Sequence, residues 1–284
     1  MKDKYYEVQI SINKANYDQL YNELYVNGIE NILEEEGLLK IYFEGNKKRK
    51  INSLKDSLIK ENIITEKDFS AEIFENKNWN DEWEKTIEPV YISNKIIVYP
   101  SWKKSELTDT ENKILIEIDP KMSFGTGHNE TTQLVLELMS DYLKGDEDKM
   151  LDFGCGTGIL TIAGIKLGVK KATAIDIDDV AVSNAKEYFE INSVSDKVKI
   201  HNKNITGIEE DSFDVICANI IRSVIADNFE HLNEKIKPGG KLFLSGIMSS
   251  EDQEILELLI LNDYNVEDIR LNSDWIGVYA VKIG

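Results

Sequence analysis

The stretch Leu151-Asp152-Phe153-Gly154-Cys155-Gly156-Thr157-Gly158 constrains this chain more than any other. An apolar run ends there in an alternation of glycines, and an apolar helix from Ile159 to about Leu167 follows. Glycine is required where the backbone takes a positive φ or must meet a ligand with no Cβ in the way. The helix behind such a turn directs its free N–H groups and the positive end of its dipole at whatever lies above it. A nucleotide or another anionic group suits that position. A tight strand-to-helix turn without a ligand is the plainer alternative, and the neighbouring sequence decides between them.

Two common nucleotide loops do not fit. A dinucleotide fingerprint needs glycine or alanine at the third site of G-x-G-x-x-G, where this chain has the bulky Ile159. A phosphate-binding P-loop needs a Gly-Lys-Ser/Thr ending, which does not occur here. Downstream, the run Ala172-Thr173-Ala174-Ile175-Asp176-Ile177-Asp178 is a second short apolar strand ending in acid. Asp176 lies about twenty residues past the glycine turn, where a strand-end carboxylate takes the two hydroxyls of a ribose. Asp178 and Asp179 are better placed to cap the helix from about Val180 to Ile191. The two jobs fall to different aspartates.

A second glycine loop stands upstream, in Ser123-Phe124-Gly125-Thr126-Gly127-His128-Asn129-Glu130-Thr131-Thr132. It feeds a helix from about Thr131 to Leu143. Asn129 and the threonines are good capping residues, but a glycine loop entering a helix N-terminus is also a ready site for a carboxylate. The reading favoured here is ligand contact through Phe124, Gly125 and Thr126, with the loop closing over the ligand.

Strand and helix patterns alternate through the second half of the chain. Val198 to His201 and Phe213 to Ile220 are strands; a helix then runs to about Lys235, and Pro238-Gly239-Gly240 precedes a strand from Lys241 to Ser245. After a helix from about Glu251 to Leu261, two closing strands suit an antiparallel hairpin at the sheet edge. Such alternation means a parallel, doubly wound sheet with ligands at the strand ends. Before the glycine loops, Lys95 to Tyr99 and Ile114 to Ile118 read as strands around a polar hairpin loop. Residues 1–76 follow the order β-α-β-β-α-β of a ferredoxin-like domain, with no histidine, cysteine or glycine loop to suggest chemistry. Between the two parts, residues 77–90 read as a linker helix with Trp79 and Trp83 on one face. The expected division is therefore 1–76, 77–90 and 91–284: an α/β, doubly wound Rossmann-like domain behind an α+β recognition domain.

The 284 residues carry a formal net charge of −19. That argues against direct nucleic-acid binding, which calls for a basic surface, and fits a basic protein partner drawn in by the acidic field. Cys155 and Cys217 stand at no metal or redox spacing. No run approaches a membrane span and no apolar signal core opens the sequence, so the expected location is the cytoplasm.

The G-x-G-x-G turn preceded by Asp152, with Asp176 and Asn219, resembles the class I S-adenosylmethionine methyltransferases. More narrowly, Phe124-Gly125-Thr126-Gly127-His128-x-x-Thr131-Thr132, the Trp79–Trp83 segment, Tyr99-Pro100-Ser101-Trp102 and Ala218-Asn219-Ile220 resemble the bacterial ribosomal protein L11 methyltransferase family over essentially the whole chain. That resemblance implies S-adenosylmethionine as cofactor and a large-subunit ribosomal protein as partner. It further implies methylation of that protein's lysine side chains and N-terminal amine, with the N-terminal domain gripping the substrate. It implies cofactor contacts at Thr132, Gly154, Gly156, Asp176 and Asn219, with Asp152 and the Phe124–Thr126 loop beside them. Asn219 would orient the incoming amine, and His128 either relays a proton or braces its loop, the second being favoured. The chain departs from the family at Ile221-Arg222-Ser223-Val224, where a small residue and then a proline are usual. A methyltransferase for another protein or a small molecule, and a non-catalytic cofactor-binding assembly factor, are the competing readings.

Overall fold

The computed structural model describes residues 4–12, 16–29, 32–35, 37–44, 47–75, 87–120 and 125–284. The expected linker helix, with Trp79 and Trp83, and the loop residue Phe124 lie outside the described residues. The chain divides into two compact units, Met1–Thr86 and Ile87–Gly284.

The first unit runs β1 (Lys4–Ser11), α1 (Tyr17–Val26), β2 (Ile32–Glu35), β3 (Leu38–Glu44), α2 (Lys48–Lys60) and β4 (Phe69–Glu75). Its sheet has the order β2-β3-β1-β4, with every neighbouring pair antiparallel. This is the ferredoxin-like arrangement. Period-two alternation puts Val8 and Ile10 of β1 with Leu39 and Ile41 of β3 on one face. Leu20 and Leu24 of α1 and Ile51, Leu54 and Leu58 of α2 cover that face, and all of these residues are buried.

The second unit opens with three short strands: β5 (Val90–Ile92), β6 (Ile96–Tyr99) and β7 (Ile114–Glu117). Here the expected hairpin is corrected. β6 pairs in parallel with β7, Ile96 opposite Ile114, and its antiparallel partner is β5. The stretch from Pro100 to Lys113, including a turn of 3₁₀ helix at Ser101–Glu106, is long enough to carry the chain back for a parallel crossover.

The remaining elements are α3 (Glu130–Tyr142), β8 (Lys149–Phe153), α4 (Ile159–Lys166), β9 (Lys171–Asp176), α5 (Asp179–Ile191), β10 (Val198–Asn202), β11 (Phe213–Asn219), α6 (Arg222–Asp227), α7 (Phe229–Lys235), β12 (Ile236–Met248), α8 (Asp252–Leu261), β13 (Tyr264–Asn272) and β14 (Trp275–Lys282). They build a seven-stranded sheet of order β10-β9-β8-β11-β12-β14-β13. The first five strands are parallel, and β14 runs antiparallel to both its neighbours. The closing pair is thus a hairpin whose last strand enters the sheet, leaving β13 at the edge. The single helix expected before Lys235 is two, broken at Asn228, whose side-chain amide donates to the Val224 carbonyl at 2.9 Å. Pro238-Gly239-Gly240 does not end an element but bulges within β12, where the register jumps from Phe213 opposite Ile236 to Val215 opposite Lys241.

Apolar cores lie on both faces of this sheet. One gathers Met139, Ile162, Tyr188, Phe243 and Tyr279; the other gathers Phe213, Phe229, Leu259 and Tyr264. Helix α4 is buried at every residue from Ile159 to Ile165, so it is apolar all round. Because β9 lies on one side of β8 and β11 on the other, the strand order reverses at β8. A crevice opens above the carboxyl ends at that point.

Candidate active site

The glycine turn forms the floor of that crevice. Gly154, Gly156 and Gly158 all have positive φ, at 75°, 54° and 78°. The amides of Gly154 and Cys155 both donate to the Ile175 carbonyl, at 2.9 and 3.0 Å, which ties the turn to the tip of β9. A Cβ on Gly154 would lie 2.5 Å from the Ile220 side chain, so the position has room for hydrogen only. Asp176 at the end of β9 is held from two sides: its Oδ2 accepts the Gly156 amide at 2.9 Å and its Oδ1 accepts the Asp178 amide at 3.0 Å. Each oxygen keeps a lone pair for a ligand hydroxyl. Asp178 caps α5, accepting the Val180 amide at 2.8 Å, so the two aspartates do have separate jobs.

Asp152 does not join this site, which corrects its place among the expected cofactor contacts. It is fully buried beneath the turn, where its Oδ2 accepts the Thr161 amide at 3.0 Å and the Thr161 hydroxyl at 2.6 Å. Burial pushes its carboxyl up to about 6, against the pull of the Thr161 hydrogen bonds, and the charge of Asp176 adds to the rise. It fastens β8 to the first turn of α4.

The described part of the upstream loop is pinned by hydrogen bonds. The Thr157 hydroxyl donates to the Gly125 carbonyl at 2.6 Å, and the Gln133 side chain donates to the carbonyls of Gly127 and His128 at 3.2 and 3.1 Å. His128 Nε2 lies 3.0 Å from the Glu88 carbonyl, a bracing contact that leaves it outside the crevice. The contact matches the bracing alternative favoured for His128 from the sequence. Gly125 and Thr126 likewise do not reach the crevice wall.

The crevice encloses a cavity of about 680 Å³. Gly154, Gly156, Asp176 and Asn219 line it as expected. Thr132 does not: it is fully buried one step behind the wall, where its hydroxyl accepts the Asn219 Nδ2 at 3.2 Å. Its neighbours Thr131 and Glu130 face the cavity instead. With its amide nitrogen on Thr132, Asn219 leaves its Oδ1 buried with no partner among the described residues, and the Thr131 hydroxyl is in the same state. Sequence reasoning missed part of the lining. Ile177, Lys203 and Asn204 line it on the Asp176 side, where the Lys203 amide donates to the Asp176 carbonyl at 3.0 Å, and Ile220, Ile221, Val224 and Trp275 add apolar lining. Arg222 turns away from it, its guanidinium held by Glu251 and Glu254 at 3.2 and 2.5 Å.

Residues 4–282 match the family model described as ribosomal protein L11 methyltransferase (PrmA). The chain belongs to that family. A relative carrying the same description in Acetivibrio thermocellus is 33% identical over 280 residues, covering 96% of this chain and 86% of the relative. Another, from Thermoanaerobacter pseudethanolicus, is 32% identical over 284 residues, covering 97% and 88%. Among solved structures, a ribosomal protein L11 methylase from Lactobacillus delbrueckii subsp. bulgaricus superposes with a TM-score of 0.64 at 25% identity, covering 70% of this chain and all of that one.

The cavity suits S-adenosylmethionine, the cofactor that the sequence resemblance implies. Its volume falls within the range of small-molecule sites. A braced carboxylate stands at the tip of β9, a side-chain-free floor lies beneath, and Thr131 and Asn219 on the wall each carry a buried oxygen without a partner among the described residues.

Proposed function

We propose that this chain transfers methyl groups from S-adenosylmethionine to the lysine side-chain amines and N-terminal amine of ribosomal protein L11. The observation that carries the reading is that Asn219, whose Oδ1 is buried and without a partner among the described residues, lines the same cavity as Asp176. A buried acceptor without a partner costs roughly 1–3 kcal/mol. It is retained here where an amine N–H would meet it.

When bound, S-adenosylmethionine supplies an electrophilic methyl group on a sulfonium, and its transfer to nitrogen is an in-line displacement that demands mainly positioning. Asp176 holds the ribose diol, and Gly154 and Gly156 let the backbone approach the ligand closely. Asn219 accepts a hydrogen bond from the incoming amine and so aims its lone pair. Ile220, Ile221 and Val224 surround the amine with apolar surface, which disfavours its charged form and helps release the proton that would block attack. Residues 1–86 act as the recognition unit, and the −19 charge of the chain draws in a basic protein substrate. The enzyme works in the cytoplasm on the free ribosomal protein, with no contact to nucleic acid.

The test is incubation with labelled S-adenosylmethionine and ribosomal protein L11 from a strain lacking this gene, followed by mass mapping. Methyl groups on lysine and the N-terminal amine are expected. Label on no acceptor, or on another ribosomal protein only, overturns the proposal.

A further inference from the structure

The seven-stranded sheet carries a second cavity, of about 240 Å³, at the end opposite the crevice. It opens at the amino ends of β8 and β9, whereas the crevice uses the carboxyl ends of the same strands. Its lining inverts the charge of the chain. Lys149, Lys171, Lys197 and Lys199 line it against only Asp196 and Glu210, although the chain as a whole carries −19. Glu210 is engaged by Lys199, whose ammonium donates to it at 2.8 Å. Among the described residues, the ammonium groups of Lys149, Lys171 and Lys197 make no hydrogen bond or ion pair. Asp148 and Asp214 adjoin the strand starts but are occupied. Asp148 accepts Lys170 at 2.6 Å, and Asp214 accepts Lys237 together with the amides of Asp148 and Lys149. Within the lining, Asp196 is left against three free cations.

The strand register brings these cations together. Lys149 is opposite Lys171 across β8 and β9. Lys197 stands one residue before Val198, which is opposite Ala172 across β9 and β10. Three free ammonium groups therefore stand at the starts of three adjacent strands, which lie about 4.8 Å apart. Like charges side by side on a sheet destabilise it. Long lysine stems relieve this by spreading into water, and a solvated row is the plain alternative. It does not explain why a chain with 52 acidic residues gathers an excess of lysine around a cavity.

We propose that Lys149, Lys171 and Lys197 form a binding site for a compact polyphosphate anion, independent of the methyl-transfer crevice. A single carboxylate would satisfy one ammonium and leave two. A nucleic-acid strand would extend past the cavity, over a chain whose net charge repels it. A di- or triphosphate chain packs several negative charges into a few atoms, and lysine meets such oxygens as a mobile point charge. Free polyphosphate and the phosphate chain of a nucleotide share that chemistry.

The experiment uses the full chain with S-adenosylhomocysteine at saturation, so that the crevice is filled. Calorimetry measures sodium tripolyphosphate, adenosine triphosphate and a short single-stranded RNA. Tripolyphosphate should bind at one site. Lys149→Gln and Lys171→Gln should each weaken it about tenfold, the loss of one charge-assisted contact. Lys60→Gln, the same change of charge on α2, should leave it unaltered. Without ligand, Lys171→Gln should melt no lower than the wild type, because one like charge leaves the row. It should nevertheless lose the rise in melting temperature that tripolyphosphate gives the wild type, which separates a binding role from a structural one. Adenosine triphosphate binding more tightly than tripolyphosphate through the same lysines identifies a nucleotide as the source; equal or weaker binding identifies the free chain. No binding by the wild type, unchanged affinity in both glutamine variants, or displacement of S-adenosylhomocysteine by tripolyphosphate overturns the site. RNA that binds through these lysines more tightly than tripolyphosphate overturns the compact ligand.

Discussion

Asn219 donates its side-chain amide to the hydroxyl of Thr132 at 3.2 Å, and this bond orients an amide whose residue lines the cavity. Thr132 is wholly buried and touches no ligand space itself. It acts through Asn219, fixing the donor end at the wall so that the acceptor end is free. A residue expected as a direct cofactor contact is thus, in the proposed mechanism, a support for the one that meets the amine.

Thr132→Val should accordingly lower kcat while leaving cofactor affinity nearly intact. The valine keeps the volume but cannot accept the Asn219 amide, which then has no reason to hold its orientation. Loss of one neutral hydrogen bond is worth about 1 kcal/mol, so kcat should fall about fivefold. Stopped-turnover rates beside calorimetric titration with S-adenosylhomocysteine separate the two effects. A matching loss of affinity would mean that Thr132 contacts the cofactor after all.

Asp176→Ala should weaken S-adenosylmethionine by about 1–3 kcal/mol, the scale of a charge-assisted hydrogen-bond pair. The carboxylate also receives the Gly156 and Asp178 amides, so the variant loosens the turn as well. Asp176→Asn keeps an acceptor for one of those amides and should fall between the two. Unchanged calorimetric affinity in the folded alanine variant would remove Asp176 from the ribose role.

The buried Asp152 makes a pH prediction whose sign follows from its raised carboxyl, at about 6 against an ordinary 3.8. A group whose folded pKa lies above its unfolded one binds its proton more tightly when folded. Its stabilising contribution is complete below the unfolded value and is lost as pH rises through the folded one. Relative to Asp152→Asn, the wild type should therefore lose roughly 3 kcal/mol between about pH 4 and 6, the two-unit shift at 1.36 kcal/mol each. Denaturant unfolding of both proteins across that window measures it, and only the change in their difference matters. A constant difference would mean that the carboxyl is ionised throughout, held by Thr161.

Gly127→Val tests whether the glycine loop is a brace. Gly127 has a φ of +85°, and a Cβ there would lie 2.8 Å from the Val98 side chain of β6. Strain of about 1–3 kcal/mol is expected from the backbone alone, before the clash with β6. The melting temperature should drop, and residual activity should fall only as the folded fraction does. A variant of wild-type stability with abolished turnover would point to the lid instead.

What the sequence revealed and what it hid have physical reasons. Asp176 was legible because a short apolar run must end at the edge of the sheet, and the turn before it fixed which edge. Asp152 misled because motif adjacency says nothing of strand phase: Leu151 and Phe153 face one core, Met150 and Asp152 the other side. The choice between Thr131 and Thr132 is a matter of helix phase, about 100° per residue, which no local pattern sets. Trp275 could not be found from its neighbours at all. It reaches the cavity because β14 inserts beside β12, with Trp275 opposite Met248. The polar loop after β6 concealed a parallel crossover for a similar reason, since strand pairing is decided by partners distant in the chain.

The division between the two units makes the final prediction. Every described residue lining the cavity lies between Asn129 and Trp275, and the cores on both faces of the seven-stranded sheet are drawn from residues after Val90. The first unit has a separate core of its own, from Val8 to Phe69. A fragment beginning at Ile87 should therefore fold and bind S-adenosylhomocysteine with the affinity of the full chain. It should transfer methyl groups to intact ribosomal protein L11 poorly, because the proposed recognition surface is gone, with kcat/KM falling chiefly through KM. Adding the separate 1–86 fragment should not rescue it, since two pieces in solution lack the high effective concentration that a covalent link provides. Calorimetry on the fragment and initial rates against substrate concentration make the comparison. Full kcat/KM in the fragment would relocate substrate recognition to the second unit and leave residues 1–86 without the role assigned to them.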